Sequence, residues 1–255
     1  MKRLPVFILV LLTIALSGCA ALSPSPTPTP EPVMLEYVGH SCVRITAPDG
    51  TRVVSDPYQT YRAPQEIRKF PTGIEADVLT ISHFHPDHAN TTDIEGEPQV
   101  FYEPGTYQVG EVMIAGYESD HGLLDGSPLR GNTAFVFKIG DVTIVHMGAA
   151  GVITQQAILD AIQDADVILV DIRGNVTHPL EEMIEQMAQV SARTVIPTHY
   201  SLSEERRFNN AATVDEFLAL LPADKPVVRA GTQLRVTPDM PSQVVVLTPL
   251  ALETQ

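Results

Sequence analysis

Residues 79–88 read Leu79-Thr80-Ile81-Ser82-His83-Phe84-His85-Pro86-Asp87-His88, and this stretch decides the fold of the 255-residue chain. Its apolar start predicts a strand that leads into a histidine-rich hexapeptide. Residues two apart on an extended backbone share a face, so His83 and His85 can point at one metal ion. Three imidazoles and one carboxylate within six residues suit zinc or another borderline divalent ion. The alternative is a run of surface histidines or an artificial tag, and the strand leading into the cluster argues against it.

The rest of the chain begins with strands and then alternates strands with helices. Apolar or alternating patterns predict strands at Met34–Val38, Cys42–Thr46, Thr51–Ser55, Asp77–Ser82, Gln99–Tyr102, Glu111–Tyr117, Thr133–Ile139 and Val142–His146. Helical spacing follows in three segments, namely one capped by Thr154 and running to Gln163, Leu180–Val190 and Thr213–Leu221. Further strands are expected at Asp166–Val170, Arg193–Pro197, Val227–Arg229, Gln233–Val236 and Gln243–Leu247. This order predicts an α+β protein of layered sheets with helices outside.

The first 32 residues predict a secretion signal followed by a lipid-anchored linker. Lys2 and Arg3 precede a mainly apolar run of 11 residues, 6–16, whereas a membrane-spanning helix needs about 20. The run ends in Leu16-Ser17-Gly18-Cys19, which resembles a bacterial lipoprotein signal whose cysteine is lipidated. We therefore predict a signal peptide over 1–18, a lipidated Cys19 with a proline-rich linker over 19–32, and a folded domain over 33–255. An ordinary secretory signal is the alternative.

Composition narrows the classes of function. The chain carries 31 acidic and 16 basic residues, and the net charge of −15 argues against a nucleic-acid partner. With 44% apolar and 18% charged residues it can bury a sizeable core and is not a disordered protein. Lipidation of Cys19 would leave Cys42 as the only free thiol, so no intrachain disulfide is expected. The oligomeric state stays open.

The hexapeptide resembles the His-x-His-x-Asp-His signature of the metallo-β-lactamase superfamily. Other segments resemble its lactonase- and phospholipase-like branch in the same order: Tyr37-Val38-Gly39-His40-Ser41, Ser55-Asp56-Pro57, His121-Gly122, Gly131-Asn132-Thr133, His146-Met147-Gly148 and Pro197-Thr198-His199-Tyr200. The resemblance covers most of residues 34–200. It implies an αββα sandwich with metals at one edge.

The resemblance also implies a ligand set. One metal would be held by His83, His85 and His146, and a second by Asp87, His88 and His199. Asp87 would in addition orient the activated water that attacks the substrate. The alternative for both His146 and His199, each of which ends an apolar strand, is a core histidine with satisfied hydrogen bonds.

Three further residues are candidates for supporting roles. His121 could be a substrate contact or proton donor, or a residue on a loop surface. His40 and Asp56 could fix the tautomer of a ligand histidine, although ordinary hydrogen bonding at a strand end is an alternative for both.

One position departs from the family pattern His-x-Gly-Asp, whose aspartate bridges two metals. This chain has Ala149 at that place, and alanine has no side-chain donor atom. The sequence therefore predicts one well-held metal, or two with a weakened second site. Asp171, directly after a predicted strand, could replace the missing ligand, and an ordinary helix-capping or solvated aspartate is the alternative.

The leading functional prediction is a hydrolase of the bacterial cell envelope, anchored outside the cytoplasm and dependent on one or two Zn²⁺ ions or another divalent metal. Its small-molecule substrate would be an ester, a lactone or a phosphodiester. The alternative is a catalytically impaired binding or scaffold lipoprotein that retains at most one metal, and Ala149 is its main support. A third hypothesis, metal capture for delivery to a transporter, predicts reversible binding without turnover.

Overall fold

A computed structural model describes residues 32–60, 69–121, 131–151, 155–163, 165–174, 179–190, 193–203 and 211–253. The predicted signal peptide, the lipidated Cys19, nearly all of the linker and the capping residue Thr154 lie outside these residues. Within them, no helix combines the length and the apolar character that crossing a membrane requires. Membrane attachment therefore stays a prediction from the sequence.

Fourteen strands and four short helices form within the described residues. The strands are β1 Val33–Gly39, β2 Cys42–Thr46, β3 Arg52–Ser55, β4 Val78–Thr80, β5 Gln99–Phe101, β6 Gly105–Val109, β7 Val112–Asp120, β8 Gly131–Ile139, β9 Val142–His146, β10 Val167–Asp171, β11 Thr194–Thr198, β12 Val227–Ala230, β13 Gln233–Val236 and β14 Gln243–Leu247. The helices are α1 Gln156–Ile162, α2 Leu180–Gln189, α3 Val214–Ala219 and α4 Leu250–Glu253.

The strands form two mixed sheets. The first sheet has the order β13-β1-β2-β3-β4-β5, and β3, β4 and β5 run parallel to one another. The second has the order β12-β14-β11-β10-β9-β8-β7-β6, in which the strands from β12 to β9 are parallel and the remainder antiparallel. Parallel neighbours place their carboxyl ends at the same edge of a sheet, which is where the sequence concentrates its histidines.

Apolar side chains from both sheets meet in one core. Leu35 and Tyr37 of β1 are fully buried in the same cluster as Phe135 and Phe137 of β8 and Ile144 of β9. Alternate residues of a strand point to opposite faces, so the neighbours of these residues serve a second layer. In the first sheet that layer is a smaller cluster in which α4 takes part.

Helices lie on the outer faces of the two sheets. Ile158 and Ile162 of α1 join the main core, and α1 contacts β8, whereas Ala251 of α4 packs in the smaller cluster. The helix α3 begins with a capping box, because Thr213 Oγ1 accepts from Glu216 N and Glu216 Oε2 accepts from Thr213 N. The predicted αββα fold is confirmed.

Two elements were not expected from the sequence. Most residues of β6 are exposed, so they carry little of the hydrophobic alternation that reveals a strand. The strand forms because Gly110, at a φ of 52°, turns the chain back and lets Val109 pair with Val112 of β7. The second unexpected element is α4, whose four residues are too short to show helical periodicity.

Candidate metal centre

The candidate site forms where strands of both sheets end. His40, Asp56, His121 and His199 directly follow β1, β3, β7 and β11. Three of these residues have a left-handed backbone, with φ of 50° at His40, 50° at Asp56 and 57° at His199. Such a conformation costs a residue other than glycine about 1–3 kcal/mol and persists only where surrounding contacts enforce it. One such contact is the His40 carbonyl, which accepts from the His199 backbone N–H at 2.7 Å.

His83, His85 and His121 form what we call the three-histidine group. Each offers one ring nitrogen, and the three nitrogens lie within 4.8 Å of one another. His83 Nε2 lies 3.0 Å from His85 Nδ1, and its Nδ1 lies 3.0 Å from Ser82 Oγ. Burial, together with the neighbouring imidazoles, holds the pKa of His83 well below its usual value. A neutral ring keeps the lone pair that a metal requires, so this donor set fits a divalent ion.

His121 reaches this group through the turn that follows β9. It forms an antiparallel bridge with Ala150, and the Gly151 N–H donates to the Asp120 carbonyl at 2.9 Å. The side chain of Asn132 holds the turn from inside, accepting from Ala149 N and donating to the Met147 carbonyl, both at 2.9 Å. The end of β7 therefore carries His121 toward the hexapeptide.

Asp87, His88 and His199 form a second cluster, which we call the mixed group. One ligand atom from each lies within 4.8 Å of the other two. Asp87 Oδ2 is 3.3 Å from His199 Nε2 and 3.9 Å from His88 Nε2. His88 Nε2 is fully buried yet makes no hydrogen bond within the described residues. A buried nitrogen of this kind, facing a carboxylate and a second imidazole, fits the ligand role predicted for it.

Each histidine of the mixed group has a carboxylate behind it. Asp56 Oδ2 accepts from His88 Nδ1 at 2.7 Å, and Asp171 Oδ2 lies 3.5 Å from His199 Nδ1. A carboxylate at Nδ1 fixes the ring and leaves Nε2 to face the ligand position. This is the supporting role that the sequence proposed for Asp56, and Asp171 has the same relation to His199.

The charges of the mixed group are strongly coupled. Burial raises the pKa of Asp87, but His88, His199 and Arg173 outweigh it and hold that pKa well below its usual value. Burial is also the main cause that holds the pKa of His88 well below normal. For His199, burial and Arg173 lower the pKa, whereas Asp171 and Asp87 raise it and prevail. The group is thus built around an ionised Asp87.

His146 lies outside both groups. Its Nε2 donates to the Ser41 carbonyl at 2.9 Å, and its Nδ1 lies 3.1 Å from Ser55 Oγ. The Ser55 hydroxyl in turn accepts from Thr80 Oγ1 at 2.8 Å. Both ring nitrogens of His146 make contacts inside the core, so His146 matches the alternative of a core histidine. In the three-histidine group, His121 takes the place that the resemblance implied for His146. The other five residues of the implied ligand set fall into the two groups.

The positions of Ala149 and Asp171 show whether Asp171 replaces the ligand that Ala149 cannot supply. Ala149 is fully buried in the turn after β9 and offers only its backbone. Asp171 is also buried, but its Oδ1 accepts from Arg173 N and its Oδ2 from Arg173 Nε, both at 2.8 Å. Asp171 therefore supports His199 from behind and does not join either group.

Sequence reasoning missed Arg173. Its guanidinium is only 5% exposed and extends from Asp171 to within 3.8 Å of Asp87 Oδ2. The available signal was a single arginine two residues after a buried strand, and arginine is rarely buried without a carboxylate partner. Cys42, by contrast, begins β2, where the sequence predicted a strand, and it is a buried free cysteine.

The fold and the site together define a two-sheet sandwich that carries a metal-ligand edge. Residues 34–199 match the family described as the beta-lactamase superfamily domain, and the chain belongs to this superfamily. A UPF0173 metal-dependent hydrolase of Carboxydothermus hydrogenoformans is 25% identical over 193 residues, which are 66% of this chain and 84% of that protein. A protein of the same description from Cupriavidus taiwanensis is 25% identical over 232 residues, covering 74% and 80%.

A solved structure supports the same assignment. It comes from Thermotoga maritima and is described as a candidate Zn-dependent hydrolase of the metallo-β-lactamase superfamily. It is 29% identical to this chain, with a TM-score of 0.66, and covers 84% of this chain and 98% of its own. The resemblance drawn from the hexapeptide is confirmed.

Proposed function

We propose that the protein is a metal-dependent hydrolase whose metal is held by His83, His85 and His121. The observation that carries this proposal is the convergence of three ring nitrogens within 4.8 Å of one another at the edge where the strands end. Relatives described as metal-dependent hydrolases cover most of the chain and support it. Three imidazoles favour zinc over magnesium or calcium, which prefer oxygen ligands.

A divalent ion at this position supplies Lewis acidity and makes water a better nucleophile. The chain's own residues provide orientation. Asp87 stays ionised through the neutral range because its pKa is held well below the usual value by His88, His199 and Arg173, against burial. Its Oδ2 can therefore accept a hydrogen bond from an attacking water and orient it.

The substrate proposed is a small ester, lactone or phosphodiester with an apolar part. Phe84 lies in sequence between His83 and His85 and is 53% exposed. It packs against Tyr102, which is 44% exposed, and the two ring centroids are 5.1 Å apart. An exposed aromatic pair beside a polar site offers a surface for the apolar portion of a substrate.

Hydrolysis is tested with the full chain purified in detergent, stripped of metal and reloaded with Zn²⁺. Nitrophenyl esters, a lactone and a bis-nitrophenyl phosphodiester are the probes. Turnover that requires metal and disappears in His85→Asn would support the proposal. Metal binding without turnover of any of the three classes would favour the alternative, a binding or scaffold lipoprotein, which Ala149 supports.

We further propose that Cys19 anchors the protein to a membrane of the bacterial envelope, outside the cytoplasm. The charged start, the short apolar run and Leu16-Ser17-Gly18-Cys19 support this proposal. The test is incorporation of labelled fatty acid and fractionation of cells that produce the full chain. Label that disappears in Cys19→Ser, together with release from the membrane fraction, is the expected result, whereas label in Cys19→Ser would contradict it.

A further inference from the structure

Ser82 lies between a buried carboxylate and the first histidine of the hexapeptide. Its hydroxyl donates to Asp56 Oδ2 at 2.6 Å, and its backbone N–H donates to Asp56 Oδ1 at 2.7 Å. On its other side, Ser82 Oγ lies 3.0 Å from His83 Nδ1. Ser82 is 2% exposed and Asp56 is fully buried, so these contacts form away from bulk water. A chain of hydrogen bonds therefore runs from Asp56 through Ser82 to a member of the three-histidine group.

The directions of these hydrogen bonds follow from the protons that each group carries. An ionised carboxylate has no proton and only accepts, and Asp56 Oδ2 also accepts from His88 Nδ1 at 2.7 Å. A serine hydroxyl has a single proton. Because Ser82 donates that proton to Asp56, its oxygen can only accept from His83. The proton of the neutral His83 ring is thereby placed on Nδ1, and the lone pair is left on Nε2.

The Nε2 atom of His83 is the one that faces the other histidines of its group. It lies 3.0 Å from His85 Nδ1, and the ring centroid of His121 lies 4.5 Å from that of His83. A metal ion held by the three-histidine group would take the lone pair of this nitrogen. A hydrogen bond from Nδ1 keeps that lone pair available and orients the ring.

The same carboxylate oxygen also serves the mixed group. Asp56 Oδ2 accepts directly from His88 Nδ1, and it reaches His83 through the hydroxyl of Ser82. The rings of His83 and His88 are neighbours, with centroids 4.0 Å apart. One buried carboxylate is thus connected to one histidine in each of the two groups.

We propose that Ser82 is a positioning residue for the metal at the three-histidine group, and that it acts by accepting from His83 Nδ1 while it donates to Asp56. This inference rests on the metal binding of the proposed function and adds to it a residue that touches no metal. A merely structural role for Ser82 would stabilise the end of the strand without fixing the tautomer of His83. The two roles therefore differ in the tautomer and in the metal affinity that they predict.

The first measurement is the tautomer of His83 in the metal-free full chain, purified in detergent. Long-range ¹H–¹⁵N NMR spectra of the histidine side chains distinguish a ring protonated at Nδ1 from one protonated at Nε2, and His83→Gln identifies the signals of this ring. We expect the Nδ1–H form in the wild type and a loss of this preference in Ser82→Ala. A wild-type His83 that carries its proton on Nε2 would overturn the inference.

The second measurement is Zn²⁺ affinity by chelator competition in the wild type, Ser82→Ala and Ser55→Ala. Ser55 is a matched control, because it is also a buried serine whose Oγ lies 3.1 Å from a histidine Nδ1, here that of the core residue His146. We expect Ser82→Ala to weaken Zn²⁺ binding about 10- to 100-fold and Ser55→Ala to leave it unchanged. Circular dichroism and urea unfolding compare the stabilities of the two variants.

The possible failures are distinguishable. Equal Zn²⁺ affinity in Ser82→Ala and Ser55→Ala would refute the positioning role, even where both variants lose stability. A wild type that binds no Zn²⁺ would refute the proposed function, and the tautomer of His83 would then decide alone whether Ser82 fixes this ring. The tautomer in the wild type decides in the same way should Ser82→Ala not fold.

Discussion

Replacing Asp56 by asparagine should weaken metal binding through His88. Asp56 is fully buried, and its carboxylate accepts from Ser82 N at 2.7 Å, from Ser82 Oγ at 2.6 Å and from His88 Nδ1 at 2.7 Å. Asparagine keeps one oxygen for the Ser82 N–H but turns an NH₂ toward the other two groups. His88 would lose the acceptor that fixes its tautomer, and Nε2 would no longer be held as the nitrogen with the free lone pair.

The magnitude follows from the bonds lost. A hydrogen bond to a charged group is worth about 1.5–3 kcal/mol, and two of the three are lost. Relief from burying a charge, which raises the pKa of Asp56, offsets part of this loss. We expect the free energy of unfolding to fall by about 2–4 kcal/mol. Affinity for a metal ion bound through His88 should fall about 10- to 100-fold.

A matched control separates stability from metal binding. Asp166 is buried at the opposite end of β10 from Asp171 and accepts from Thr143 N, Arg193 Nη1 and Asp239 N at 2.8–3.0 Å. Asp166→Asn should lose comparable stability in urea unfolding followed by circular dichroism, yet keep full metal affinity in chelator competition. Equal affinity for a metal ion at the mixed group in the Asp56→Asn and Asp166→Asn variants would refute the reasoning.

Three further outcomes are expected. His146→Asn should lower thermal stability but leave bound Zn²⁺ unchanged, whereas His121→Asn should lose the metal, and elemental analysis of the two variants side by side would contradict us if their metal contents were reversed. Burial raises the pKa of the Cys42 thiol well above its usual value, so little thiolate forms. Iodoacetamide should therefore modify the native protein far more slowly than the urea-unfolded protein, as followed by mass spectrometry. Gly148→Ala should lower the free energy of unfolding by about 2–4 kcal/mol in urea titrations, because φ is +60° and the new Cβ would overlap Ser82 Cβ; an unchanged midpoint would contradict this.

Most of the fold could be predicted because its strands carry strong local patterns. Cys42–Thr46 and Val142–His146 were predicted with the bounds that the structure has, and the expected Leu180–Val190 became α2 Leu180–Gln189. Besides the short α4, the sequence did not reveal β6, which is held by pairing with β7 across Gly110 and not by burial of its own side chains. Pairing of this kind is a property of two segments together, so one segment's hydrophobicity does not reveal it.

The site could be predicted where its residues are close in sequence. The hexapeptide carries four of the six grouped side chains, so local spacing was enough. His121 and His146 were harder to tell apart, because each comes at or just after the end of a strand. The difference lies in Ser41 and Ser55, which bond both ring nitrogens of His146 and come from distant parts of the chain. No local pattern shows such a contact.

The mixed group keeps energetically costly features although Ala149 stands where the family pattern has an aspartate. His199 and Asp56 hold left-handed backbones, and Asp56 is buried as a carboxylate. A group that no longer held any charge would gain stability by relaxing these features. Arg173 depends on two carboxylates of the same region, because its buried guanidinium lies 2.7 Å from Asp171 Oδ2 and 3.8 Å from Asp87 Oδ2. The carboxylates that face His88 and His199 therefore also hold a buried arginine in place.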